Sequence, residues 1–280
     1  MKIGNYTIRS LETGRFALDG GAMFGVVPKV LWQKTNPADE LNRITLALRV
    51  LLLEGNNRYI LVDTGIGHKF NAKQETIFGI DHRHSNLENS LNELGLKPTD
   101  ITDVILTHLH FDHAGGATCL KEEQVVPTFP NAQYYVQRKN WEWANNPTEK
   151  DRASYLKENF IPLMESGQLK LLEDEGEILP DIYPWLSNGH TVGQQLIRIS
   201  DGQQTLIYCA DIIPTSSHLN VPYVMGFDLY PLTTIEEKKQ ILQQALAENW
   251  VIFFEHDPII EACTVKESEK GIGLNQVVEL

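Results

Sequence analysis

Cysteine is scarce in this chain. The three present, Cys119, Cys209 and Cys263, form no CxxC pair and leave an odd one, so free thiols in a reducing compartment are expected rather than a disulfide framework. No run approaches the roughly 18 to 20 apolar residues that a bilayer crossing takes; the best, ITLALRVLLLEG, is short and contains Arg49. The first residues, MKIGNYTIRSLETG, have no apolar h-region and no small-residue cleavage pattern, which points to the cytoplasm rather than to export. Basic charge is also in deficit, with 24 Lys and Arg against 37 Asp and Glu and a net charge of −13. Phosphate backbones are held by clustered Lys and Arg, so neither nucleic acid nor a membrane is expected as a partner. Internal repeats and low-complexity tracts are absent too, and the acidic stretch LLEDEGEILPD reads as a solvated connection.

What remains is ordinary globular material: 280 residues, 42% hydrophobic, enough for one layered α/β domain spanning residues 1–280. Runs at 44–53 and 58–62 read as a hairpin across EGNN, the second ending in VDTG with Asp63 leaving a buried strand. Leu87, Leu91 and Leu94 fit one helical face, with Ser85 as N-cap and Gly95 and Pro98 closing the helix. Strands are expected at DVILT, AQYYVQ, QLKLLE, QQLIRIS, QTLIYCA and VIFFEHD, with Asp201-Gly202 as a hairpin turn. Helices are expected around 138–145, 149–165 and 234–248. Interleaved helices and hairpins favour two mixed sheets with helices outside over a purely parallel wound sheet.

One short stretch carries more chemistry than the rest. HLHFDHA, from His108 to Ala114, packs three imidazoles and a carboxylate where a strand ends. In extended chain, residues two apart point the same way, so His108 and His110 can grip one ion. Adjacent Asp112 and His113 can share a direction only if the chain turns, and Gly115 and Gly116 make a turn cheap, so this pair would serve a second ion. Further donors stand alone at other strand ends: His190 in SNGHTVGQ, Asp211 in IYCADII and His256 in VIFFEHD.

With these residues in place, the sequence resembles the metallo-β-lactamase superfamily, matching in order Asp63, His108, His110, Asp112, His113, His190, Asp211 and His256. The resemblance implies a four-layer αββα sandwich. It implies that His108, His110 and His190 hold a first metal, that Asp112, His113 and His256 hold a second, and that Asp211 bridges both. Two divalent ions then keep net positive charge against two carboxylates and favour a bridging hydroxide, because bound water can ionise near pH 7. Asp112 is placed to accept or pass on a proton, Asp112 and Asp211 being the catalytic carboxylates, and Asp63 to orient a ligand. An all-His/carboxylate shell suits zinc, while manganese, cobalt or iron could fill it.

Within the superfamily, His110 stands where redox di-iron members place Glu, residues 257–280 leave no room for the helical extension of glyoxalase II-like thioesterases, and no basic surface suggests RNA. The chain most resembles the quorum-quenching N-acyl homoserine lactonases, especially their YtnP-like branch, and related organophosphate hydrolases. That likeness extends to LDGGAMFGVVPKVLW and HLNVPYVMGFDLYP. It implies a dinuclear lactonase, with phosphotriester hydrolysis or a mononuclear iron persulfide dioxygenase as alternatives, and a homodimer as a common assembly. The apolar loop with Met23 and Phe24 could wall the site against an acyl chain, or form a subunit interface or core; Phe111 could line the pocket or pack beneath the loop. The better-known lactonases carry a proton-donating tyrosine three residues after the bridging aspartate, where this chain has Pro214, and Tyr223 or His218 could take its place. His82 and His84 read as a polar lead-in to a helix, and Cys209 as a buried thiol.

Overall fold

The expected hairpin is the clearest link between sequence and structure. In the computed structural model, which describes residues 1–269 and 271–280, strand Arg43–Gly55 pairs antiparallel with Arg58–Val62 from Leu51↔Val62 to Gly55↔Arg58. Asn56 and Asn57 occupy the turn at φ 51° and 57°, the left-handed pair that a two-residue turn needs and that Asn tolerates.

The chain forms two compact units, Met1–Arg15 with Leu48–Asp174, and Phe16–Ala47 with Glu175–Leu280. Its strands, in order, are β1 (Lys2–Ile3), β2 (Tyr6–Asp19), β3 (Arg43–Gly55), β4 (Arg58–Val62), β5 (Asp103–Ile105), β6 (Thr118–Lys121), β7 (Gln124–Pro127), β8 (Gln133–Gln137), β9 (Leu169–Leu172), β10 (Ile182–Ser187), β11 (Gln194–Ser200), β12 (Thr205–Tyr208), β13 (Val251–Phe253), β14 (Ala262–Ser268) and β15 (Gly271–Val278). Among the described residues one sheet runs β1-β2-β3-β4-β5-β8-β9, a second β10-β11-β12-β13-β14-β15, and β6-β7 stands as a separate hairpin.

In the first unit β4, β5, β8 and β9 pair parallel, and the short β5 is buried throughout, as a strand covered on both faces should be. Its core gathers Leu52, Leu61, Val104, Leu91, Tyr134 and Phe160. Helix Leu87–Glu93 contributes Leu91, but its N-cap is Asn86, whose side chain accepts from Asn89 N at 2.9 Å; Ser85, expected there, instead donates to Glu12 at 3.4 Å. Gly95, at φ 73°, takes the left-handed end position foreseen for it.

In the second unit, within the sheet β10–β15 of the described residues, only β12 and β13 pair parallel. Parallel neighbours need a crossover, and helix Pro231–Glu248 supplies it, burying Ile241, Leu242 and Ala245 together with Lys238. Asp201 and Gly202 make the β11–β12 turn, with Gly202 at φ 83° and Asp201 Oδ1 accepting from Gln203 N and Gln204 N at 2.9 and 2.8 Å.

The helix expected over 149–165 also changes. Residues 149–165 form 3-10 turns at Arg152–Ser154 and Lys157–Asn159 before a short helix, Ile161–Glu165. Asp151 accepts from Thr148 N, Thr148 Oγ1 and Trp143 Nε1 at 2.6–2.9 Å, a local side-chain alternative to helix hydrogen bonds. The long β2 and the final β14–β15 hairpin were not foreseen, because their polar and apolar residues do not alternate cleanly: β2 inserts consecutive intermediate positions at Arg9 and Ser10.

Candidate functional site

The first unit carries a donor loop built from the end of β5. After Ile105 the chain extends through Thr107, His108, Leu109 and His110, then turns in a four-residue helix, Phe111–Ala114. His108 Nε2 and His110 Nδ1 face each other at 3.0 Å, so this pair points together as extended spacing requires. Asp112 and His113 sit on the helical turn, with Asp112 Oδ2 3.8 Å from His113 Nε2. The turn is helical, and Gly115 and Gly116 are needed for close approach instead. A Cβ on Gly115 would lie 2.1 Å from Ile66 O, and one on Gly116 2.2 Å from Thr64 O.

A single carboxylate sets the proton positions of this loop. Asp63 is fully buried, at φ 61° after β4, and accepts from Thr107 N and Thr107 Oγ1 at 2.7 Å each. It also accepts from His113 Nδ1 at 3.0 Å. With its proton committed to Asp63, Thr107 Oγ1 is an acceptor for His108 Nδ1–H at 3.1 Å. Both imidazoles are thereby left with a lone pair on Nε2, the form a metal ligand needs. Asn140 adds a clamp, its Oδ1 accepting from Leu109 N at 3.0 Å between the two histidines.

The second unit carries three more donors, each at a strand end: His190 beyond β10, Asp211 beyond β12 and His256 beyond β13. Asp211 Oδ2 lies 3.0 Å from His190 Nε2 and its Oδ1 3.3 Å from His256 Nε2, so the two arms of one carboxylate serve different imidazoles. Both rings are anchored through Nδ1, His190 by Asp228 at 3.0 Å and His256 by Ala47 O at 2.9 Å. Burial alone would lower the His190 pKa, but Asp211 and Asp228 outweigh it and raise it to about 9. Ala210, just before the carboxylate, is held at φ 42°, a conformation costly for a residue with a Cβ. Sequence reasoning missed Asp228, Thr107 and Asn140; Thr107 lay in the quoted strand DVILT and Asp228 in HLNVPYVMGFDLYP, and nothing in their spacing marked them.

The donors fit divalent cations in kind: imidazole lone pairs aimed outward by fixed Nδ1–H groups, and carboxylates beside them. Cys209 is a buried thiol whose Sγ lies 4.0 Å from Ile207 O, and burial pushes its pKa up.

The residues named for substrate contact lie in two aromatic groups. In the first unit Phe111 packs edge-on to Phe70 at 5.4 Å and against Phe78 at 4.9 Å. In the second, Met23 and Phe24 are buried, and Phe24 stacks between Trp32 and His218 at 5.4 and 4.7 Å, with Tyr223 edge-on at 5.9 Å. His218 Nε2 donates to Met23 O and its Nδ1 accepts from Thr215 Oγ1, both at 2.8 Å. Burial, with the charge of Lys238, holds its pKa down at about 3. Pro214 uses its carbonyl to accept from His256 N at 3.0 Å. His82 is no mere lead-in: its ring lies between two backbone carbonyls, Nδ1 3.2 Å from Thr13 O and Nε2 3.1 Å from Gly67 O.

Extended spacing, a turn and strand-end donors of this kind suit metal binding. The profile of the metallo-beta-lactamase superfamily matches residues 49–256. The chain belongs to that superfamily and has its fold, and it is a metal-dependent hydrolase similar to N-acyl homoserine lactonases. An N-acyl homoserine lactonase of Bacillus cereus is 29% identical over 229 residues, 77% of this chain and 83% of that one. A probable metal-dependent hydrolase from Staphylococcus aureus superposes with a TM-score of 0.88 at 33% identity, covering 99% of this chain and 100% of its own. AidC, a dizinc quorum-quenching lactonase solved with a product, N-hexanoyl-L-homoserine, aligns in fold with a TM-score of 0.81 at 23% identity over 100% and 97% of the two chains. Among the described residues no helix is long and apolar enough to cross a membrane.

Proposed function

We propose that the protein opens the lactone ring of N-acyl homoserine lactones as a single dinuclear metallo-hydrolase domain. His108, His110 and His190 would hold one divalent cation, Asp112, His113 and His256 the other, with Asp211 shared; zinc suits the donor set. When bound, the cations supply polarisation of the ester carbonyl and hydroxide at neutral pH, since water on such ions can ionise near pH 7. The chain's own residues do the rest. Asp63 and Asp228 hold the Nδ1 side of His113 and His190, which fixes the two rings in orientation with Nε2 left to face a cation. Asp112 accepts the proton released on attack.

For the leaving alkoxide the choice falls on Tyr223. His218 has its only ring proton committed to Met23 O, whereas the Tyr223 hydroxyl makes no hydrogen bond among the described residues. Phe24 and His218 then act by positioning Tyr223, while Met23 closes the wall behind them and Phe111 offers apolar surface to the acyl chain. The observation that carries the reading is the pair of buried carboxylates, Asp63 and Asp228, one in each unit, each holding the Nδ1 of a histidine that ends a strand. The test is acid release from a long-chain N-acyl homoserine lactone by metal-loaded protein. Turnover well above that of His108→Ala is expected; a rate equal to that variant's would reject the substrate.

A further inference from the structure

A separate cavity of about 330 Å³ opens within the first unit, beside the glycines that follow the ligand turn. Cavities that take small organic ligands run from ~300 to 1,000 Å³, so this one suits a guest at the small end. Leu87, Leu91, Pro98, Leu120 and Phe129 give it apolar walls, and Lys69 and Thr128 are among its polar lining.

Lys69 is the unusual member. Its ammonium donates to the carbonyl oxygens of Gly115 and of Thr118, the latter at 2.7 Å, which leaves one N–H unspent. It forms no ion pair with a carboxylate among the described residues. Burial pulls its pKa down to about 8, against smaller opposing pulls from Glu158 and Cys119. A cation taken out of water without a counter-charge is costly. Thr128 adds a second unspent group, because its hydroxyl is shielded from solvent and has no partner among the described residues. The other lining hydroxyls are already committed: Thr13 Oγ1 donates to Leu48 O at 3.0 Å, and Thr64 Oγ1 to His113 O and Thr118 Oγ1 to Glu158 O, both at 2.8 Å. His82 lies with Nδ1 3.2 Å from Thr13 O and Nε2 3.1 Å from Gly67 O, so its N–H is spent on these carbonyls. At the rim, Glu88 brings one negative charge and burial keeps His68 below its usual pKa, and Lys69 is the one lysine or arginine among the lining residues described. That favours a monoanion over a phosphate dianion, which calls for more than one.

We propose that this cavity binds a small organic carboxylate with an apolar tail, the carboxylate on Lys69 with Thr128 as a further donor, and the tail against Leu87, Leu91 and Phe129. The site is independent of the lactonase reading. Hexanoate is the probe, titrated calorimetrically into the metal-loaded protein beside hexanol and hexylamine as uncharged and cationic controls. Hexanoate should bind at one site, and both controls should bind about tenfold more weakly or worse, as loss of a charge-assisted hydrogen bond entails. Lys69→Met should weaken hexanoate by a similar factor. If Lys69→Met does not fold, Leu120→Trp decides instead, since Leu120 is an exposed lining residue whose enlargement narrows the cavity without touching Lys69. Binding of hexanoate that survives both substitutions in folded protein places it elsewhere, at the metal ligands included, and overturns the proposal; so does equal binding of hexanol.

Discussion

Single residues decide whether an imidazole can act as a ligand, and the deciding ones lie outside the ligand set. Asp228 bonds His190 Nδ1 at 3.0 Å, so Asp228→Asn should leave the fold intact yet lower metal affinity or turnover by roughly 10- to 100-fold. Competition with a coloured chelator measures the first and initial rates the second; an unchanged metal affinity and rate would show that His190 needs no such anchor. The same residues show where sequence stops being informative. HLHFDHA could be read because its donors are crowded within a few positions. Asp63 could be read because it ends a strand pattern. Asp228 could not, since its partner lies 38 positions away and a lone loop aspartate carries no period. Thr107 escaped for another reason: a threonine between strand and histidine looks like any other until its hydroxyl is seen between Asp63 and His108.

At the level of elements, the strand-end placement of every donor followed from apolar runs, while the means of turning did not. The turn that separates His110 from Asp112 is helical, and the glycines after it make room for neighbouring backbone. Gly116→Ala would put a Cβ 2.2 Å from Thr64 O, so the variant should lose about 1–3 kcal/mol of stability through overpacking. It should also lose bound metal, because Thr64 N and Oγ1 both donate to His113 O. Urea denaturation and metal analysis read the two effects, and a wild-type midpoint would contradict the close-approach account. Gly95→Ala is the contrast. Nothing lies near its Cβ, but φ is 73°, so the cost should be conformational, about 1 kcal/mol, with metal content unchanged. The failed helix over 149–165 teaches the same lesson as the glycines, since Asp151 recruits Thr148 and Trp143 in ways no periodicity encodes.

Across the whole molecule, length and mixed patterning gave two sheets with helices, but sheet order depends on long-range pairings such as β4 with β5 and β12 with β13, which leave little trace in a single sequence. Buried charge is equally hidden there: Lys238 sits on the apolar stripe of its helix, donating to Tyr223 O, and reads as a surface residue in EEKKQ. Burial lowers its pKa to about 7, against a smaller opposing pull from Asp228. The unfolded chain keeps a lysine near 10.4, so between about 7 and that value the unfolded state binds more protons and stability must rise with pH. Lys69, lowered to about 8 for the same reason, adds to the slope over a narrower window. The denaturation midpoint at saturating metal should therefore rise from pH 7 to pH 9 more steeply in the native protein than in Lys238→Met. Parallel slopes in the two proteins would mean that Lys238 is solvated on folding, and that the helix carrying it does not hold Tyr223 as described.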